Sequence, residues 1–130
     1  MIVVGVGCSR GCSSAELLAL VDAAVREIGA DAEPVAALAT VDRRADEPGV
    51  VEAARARGWR LRTFAAAELA AVDVPTPSAV VAAHVGTPSV AEAAALLAAR
   101  GGPLVLAKRR SARATCALAR PTAEEAPWPA

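Results

Sequence analysis

Tyrosine is absent from this chain of 130 residues, and there is one phenylalanine against two tryptophans. So few rings leave no platform on which nucleic-acid bases could stack. Formal net charge is zero, which removes the basic field that draws proteins to nucleic acid or to anionic membranes. Apolar runs never reach 18 residues, and no charged N-terminal region leads into an apolar stretch, so neither a membrane span nor a secretory leader is expected. A cytoplasmic location follows as the expectation. Three cysteines are too few for a disulfide framework, and the single histidine, His84, lies in the apolar stretch Val80-Val-Ala-Ala-His-Val85, where a structural role suits it. No zinc set can be assembled from these donors, so no metal is expected. Lysine is reduced to Lys108 while arginine is plentiful, and 35 residues are alanine.

What is present is concentrated at the N-terminus. The apolar run Ile2 to Val4 breaks into Gly5, Gly7 and Gly11. It gives way to Ser13-Ser-Ala-Glu16 and the helical pattern Leu17, Leu18, Leu20, Val21, Ala24, Val25, Ile28. Ser13 with Glu16 three residues on reads as a capping box, hydroxyl and carboxylate each satisfying the other's orphan N–H. Strand, glycine loop and helix N-terminus in succession aim free N–H donors and a positive dipole end at one place, where an anion can sit. The spacing G-x-G-x-x-x-G is one residue longer than the dinucleotide fingerprint, and the second strand does not end in an acidic ribose partner at the usual place. No Lys-Ser/Thr pair follows the last glycine, so this is not a P-loop. Neither nucleotide reading stands, no cofactor is called for, and a tight turn that binds nothing is the plain alternative. Cys8 and Cys12 lie four apart across this loop. Cys8 near a helix N-terminus is a candidate nucleophile, but no general base is placed beside it, and small packing residues explain both.

Further along, strands and helices alternate without an internal repeat. Pro34 to Val41 reads as a strand, and Asp42 to Gly49 as a charged loop with Arg43, Arg44, Asp46 and Glu47. Pro48 opens a helix that stops at Gly58. Trp59 to Phe64 alternates as a half-exposed strand, Ala65 to Val72 is a short helix, and Thr76 to Val85 another. Gly86-Thr-Pro-Ser89 leads into a second capping box, Ser89 with Glu92, and an alanine-rich helix to Arg100. Leu104 to Ala107 and Ala114 to Ala119 form a hairpin joined by the basic segment Lys108 to Arg113. The order predicts a single-domain α/β/α three-layer sandwich over residues 1–120, its sheet mostly parallel with an antiparallel edge pair. Residues 121–130 are expected to be a flexible tail.

Five segments in order carry a resemblance. They are Gly5-Val-Gly-Cys-Ser-Arg-Gly11, Ala39-Thr-Val-Asp-Arg-Arg-Ala-Asp-Glu-Pro-Gly49, Val74-Pro-Thr-Pro-Ser78, Val85-Gly-Thr-Pro-Ser-Val-Ala-Glu-Ala-Ala-Ala-Leu-Leu97, and Lys108 with Thr115 to Arg120. From Ile2 to Arg120 the chain resembles the CobE family of cobalamin biosynthesis, which is similar to the C-terminal domain of CbiG proteins. The resemblance implies a partner that is a corrinoid or precorrin intermediate, with other cobalamin-biosynthesis enzymes as further partners. CbiG proteins are implicated in opening a cobalt-precorrin lactone with release of acetaldehyde, so a hydrolase is the alternative to a binding or carrier protein. Two departures matter: Ser9 stands where the family often has a second basic residue, leaving Arg10, and Arg44 replaces a lysine.

A corrin precursor is a flat apolar macrocycle rimmed by carboxylates, and it needs an apolar shelf with dispersed anion anchors. That chemistry, with the resemblance, marks Gly5, Gly7, Cys8, Arg10, Gly11, Ser13, Thr40, Arg44, Gly86, Thr87, Ser89 and Lys108 as ligand-binding candidates. Arg109, Arg110 and Arg113 read as a solvated hairpin tip. Glu92 is explained by its capping box, with acid/base work as the alternative. No carboxylate pair is fixed by spacing, so no catalytic residue is assigned.

Overall fold

A computed structural model describes residues 1–29, 33–72, 74 and 90–121. Five strands, β1 (Ile2–Cys8), β2 (Val35–Val41), β3 (Arg60–Phe64), β4 (Leu104–Arg110) and β5 (Ala114–Ala119), form one sheet in the order β3-β2-β1-β5-β4. The β1–β2 and β2–β3 pairings are parallel, while β5 is antiparallel to both β1 and β4. Four strands therefore point one way and β5 alone opposes them. The expected mixed sheet is found, with the hairpin filling one side.

Helices cover both faces. On one face lie α1 (Ser14–Glu27) and α2 (Pro48–Arg57), over Ile2, Val4, Val6, Leu38, Leu106, Cys116 and Leu118. On the other lie α3 (Ala66–Ala70) and α4 (Val90–Ala98), over Val3, Ala37, Ala39, Val41, Ala117 and Ala119. The alternation of side chains along each strand sorts the two sets: Ile2, Leu38, Leu106 and Leu118 go to the first face, and Ala37, Ala39, Ala117 and Ala119 with Val3 and Val41 to the second. Alanine on the sheet meets alanine on the helix, since Ala91, Ala93, Ala94, Ala95 and Ala98 of α4 are all buried there. Much of the alanine richness thus has a structural use. It brings α4 close to the strands.

Local chemistry sets the element ends. Ser13 caps α1, its Oγ accepting the Glu16 N–H at 3.1 Å. Pro48 sits in the first turn of α2, and Gly58 ends it in the left-handed conformation. One boundary differs from expectation. β4 continues to Arg110, so Lys108 lies within a strand and the turn shrinks to residues 111–113. Alternation fails there because the β4–β5 register shifts between Leu106 and Arg109, three steps on β4 facing two on β5. The segments read as a helix at 76–85 and as a tail beyond 121 lie outside the described residues.

Candidate functional site

The carboxyl ends of β1, β2 and β4 face the same way, and ligands of open α/β sheets bind at that crest. The chain leaves β1 through Ser9 to Ser13 into α1, and leaves β2 through a 3-10 turn, Asp42–Arg44, into α2. From the other side the β4–β5 hairpin reaches the same place, since Cys8 pairs with Ala114 and the Ser9 N–H donates to the Arg113 carbonyl at 2.8 Å. On the far face, α4 also begins at this end, with Val90 beside Gly7.

At the centre stands the Cys8–Ser13 loop. Gly11 has φ of 83°, which only glycine adopts without strain, and its N–H faces a Glu47 carboxylate oxygen at 3.5 Å. Arg44 donates its Nε–H to the Cys8 carbonyl at 2.9 Å, tying the second crossover loop to the end of β1. An Arg113 guanidinium nitrogen lies 3.7 Å from where a Gly11 side chain would begin. Ser13 and Arg10 are exposed on the loop. The reciprocal half of the Ser13–Glu16 box is not made as expected. Glu16 instead accepts hydrogen bonds from the Ser111 hydroxyl and, at 2.7 Å, from the Arg113 N–H, pinning the hairpin turn to the start of α1. Those bonds hold its carboxyl below the usual glutamate range.

The thiols are poorly suited to nucleophilic work. Cys8 is pushed up to about 12, first by burial and then by the neighbouring Cys12 thiol and Glu47 carboxylate, which outweigh Arg44. Burial also raises Cys12. Both stay protonated at neutral pH, which agrees with packing rather than thiolate chemistry. Among the described residues no group of three or more His, Cys, Asp or Glu could hold a metal ion.

Two expected ligand residues are taken up by the fold. Gly5 lies inside β1 beneath α4, where a Cβ would come within 2.0 Å of the Ala91 carbonyl oxygen. The glycine there serves helix-to-sheet contact. Thr40 is fully buried and donates its hydroxyl to the Val6 carbonyl at 2.8 Å, closing the ladder where β1 and β2 diverge. Gly7 needs no positive φ; its missing side chain leaves room for the Thr115 hydroxyl, which would stand 2.7 Å from a Cβ. Lys108 is half-buried on β4, on the α4 side of the hairpin. Gly86, Thr87 and Ser89 lie outside the described residues, as does the cap of α4.

Three contributors escaped the sequence reading. Arg113 reads in sequence as part of a solvated tip and Ser111 carries no signal, because the hairpin register that returns them to the loop depends on a bulge. Glu47 reads in sequence only as part of the charged loop, and the tertiary crossing brings it to Gly11. Arg109 is also engaged, with both guanidinium ends on Glu27 of α1.

A family model described as "Cobalamin synthesis G C-terminus" matches residues 2–119. The chain belongs to this family. It is a cobalamin biosynthesis protein. It is 37% identical over 123 residues to "Protein CobE" from Sinorhizobium sp, covering 92% of this chain and 80% of that protein. The crystal structure of a CobE protein from the cobalamin biosynthetic pathway superposes with a TM-score of 0.84 at 41% identity, covering 92% and 89% of the two chains. A "Cobalt-precorrin-5A hydrolase" from Priestia megaterium is 31% identical over 119 residues, 92% of this chain. The chain spans only 32% of that hydrolase's length. No described helix in this family member is long and apolar enough to cross a membrane.

Proposed function

We propose that the chain binds a corrinoid or precorrin intermediate at the crest and passes it unchanged between enzymes of the pathway. The observation that carries this reading is the meeting, along the Cys8–Ser13 loop, of the capped start of α1, the Arg44 guanidinium on the Cys8 carbonyl and the Arg113 guanidinium beside Gly11, whose own N–H faces Glu47. A ring carboxylate at this point gains a helix N-terminus and arginines able to bind it bidentately. Gly7, Cys8, Arg10, Gly11, Ser13, Arg44 and Lys108 remain in the proposed set, with Gly86, Thr87 and Ser89. Arg113 joins it. Gly5 and Thr40 leave it, because their surroundings are the protein's own backbone.

A carrier rather than a thiolate-dependent hydrolase is favoured by the protonated Cys8 thiol, which removes that thiolate as a nucleophile. Titration with cobyrinic acid, a corrin with free ring carboxylates, followed by its visible absorbance, tests binding. Lys108→Ala should weaken it by about 1.5–3 kcal/mol if the ammonium makes a charge-assisted bond. Mass spectrometry of a lactone-bearing cobalt-precorrin after incubation with stoichiometric protein should show no change, and loss of a two-carbon fragment would establish the hydrolase instead.

A further inference from the structure

Only two polar side chains are buried among the described residues, Thr40 and Glu92. Thr40 closes a strand ladder. Glu92 is harder to account for, because a carboxylate without solvent contact is costly unless hydrogen bonds compensate it. It occupies the first turn of α4, and its Oε2 accepts the backbone N–H of Lys108 at 2.8 Å. That N–H belongs to the stretch where β4 and β5 lose register, between Leu106 and Arg109. A bulge leaves one residue outside the ladder, and an N–H so released must find another acceptor. The helix supplies it. Glu92 therefore fixes the backbone at the point from which the chain's single lysine departs.

Taking Lys108 as a ligand anchor, as the proposed function does, we infer that Glu92 is a positioning residue for Lys108. Its buried carboxylate holds the β4 bulge so that the ammonium is presented to a ring carboxylate in one arrangement. The requirement is for an acceptor oxygen at this place, not for a transferable proton. A glutamine amide oxygen also accepts an N–H, so Glu92→Gln separates the two roles. An acid/base residue would lose its work in that variant, whereas a positioning residue keeps it.

The experiment compares the parent with Glu92→Gln, Glu92→Ala, Lys108→Ala and the Glu92→Ala/Lys108→Ala double variant. Each is titrated with cobyrinic acid between pH 6 and 9, with thermal melts as the folding control and amide exchange of Lys108 as the local one. Lys108→Ala is expected to bind about 10- to 100-fold more weakly. Glu92→Ala should lose most of that factor together with the exchange protection of the Lys108 amide. Glu92→Gln should bind and protect as the parent does at every pH, and the double variant should bind no worse than Lys108→Ala. Full binding by Glu92→Ala beside weak binding by Lys108→Ala would overturn the positioning role and leave the ligand reading standing. Full binding by Lys108→Ala would overturn the ligand role of Lys108 and the inference resting on it. A Glu92→Gln variant as weak as Glu92→Ala would overturn it in favour of a required charge. Should Glu92→Ala not fold, Glu92→Leu, which fills the space without an acceptor oxygen, takes its place in the comparison.

Discussion

Replacing Gly5 by alanine adds one methyl group at the most crowded point of the fold. Its Cβ would lie 2.0 Å from the Ala91 carbonyl oxygen, 2.6 Å from the Ala95 nitrogen and 2.9 Å from the Ala95 Cβ. The first two are backbone atoms of α4, so no side-chain rotation relieves them. The helix must retreat by more than an ångström, and its alanine face then loses contact with Val3, Ala37, Ala39, Ala117 and Ala119 together. Overpacking of this kind costs about 1–3 kcal/mol, and rigid backbone on both sides puts Gly5→Ala at about 3 or above. For a domain of this size that lowers Tm by roughly 10 °C. Gly7→Ala is the internal comparison, because its 2.7 Å neighbour is the Thr115 hydroxyl, which can turn away. It should cost under about 1.5 kcal/mol. Urea melts of both variants, with m unchanged, decide the matter. A Gly5→Ala midpoint within about 0.5 kcal/mol of the parent would refute the packing account of Gly5 and return it to the ligand loop.

Arg44→Lys should destabilise by about 1 kcal/mol, because an ammonium does not reproduce the in-plane Nε–H bond to the Cys8 carbonyl; a chemical melt as stable as the parent's would contradict this. Cys8 should react slowly with iodoacetamide at pH 7.5 relative to a free thiol, and a fast reaction would show a thiolate that the loop's burial does not allow. Because its folded value is raised, the stability it contributes is whole below the unfolded thiol value near 9.0 and is lost as pH climbs toward about 12, so Cys8→Ala should flatten part of the alkaline fall in Tm. Asp22 shifts the opposite way, lowered by its paired bonds to Arg57 at 2.9 Å. Its contribution is present above the unfolded aspartate value near 3.8 and lost as pH drops through the folded one, so Asp22→Asn should lower Tm slightly at pH 7, by the small worth of an exposed pair, and match the parent at the acid end, giving a flatter acid limb.

The fold was largely legible because its signals are local. Proline at the start of α2, glycine at its end and a serine cap on α1 act over a few residues, and strand alternation names the buried faces. Long-range returns were not legible. Ser111 and Arg113 reach Glu16 and Gly11 only through a register that a bulge resets, and no periodicity announces that bulge. The glycine run illustrates the limit most plainly. Gly5, Gly7 and Gly11 read alike in sequence, yet the first admits a helix, the second a hydroxyl, and only the third turns the loop. Lys108 was recognised through family resemblance, while its link to Glu92 required the sheet and α4 to be in place together.

The central claim is that the crest holds the carboxylates of a corrin ring. Its most direct measurement is equilibrium titration of the protein with cobyrinic acid, followed in the visible spectrum, beside parallel titrations with NAD and ATP. The account predicts saturable pigment binding that weakens in Lys108→Ala and persists in Cys8→Ser, with no comparable nucleotide binding. Tight nucleotide binding without pigment binding, or pigment binding that survives Lys108→Ala and fails in Cys8→Ser, would contradict it.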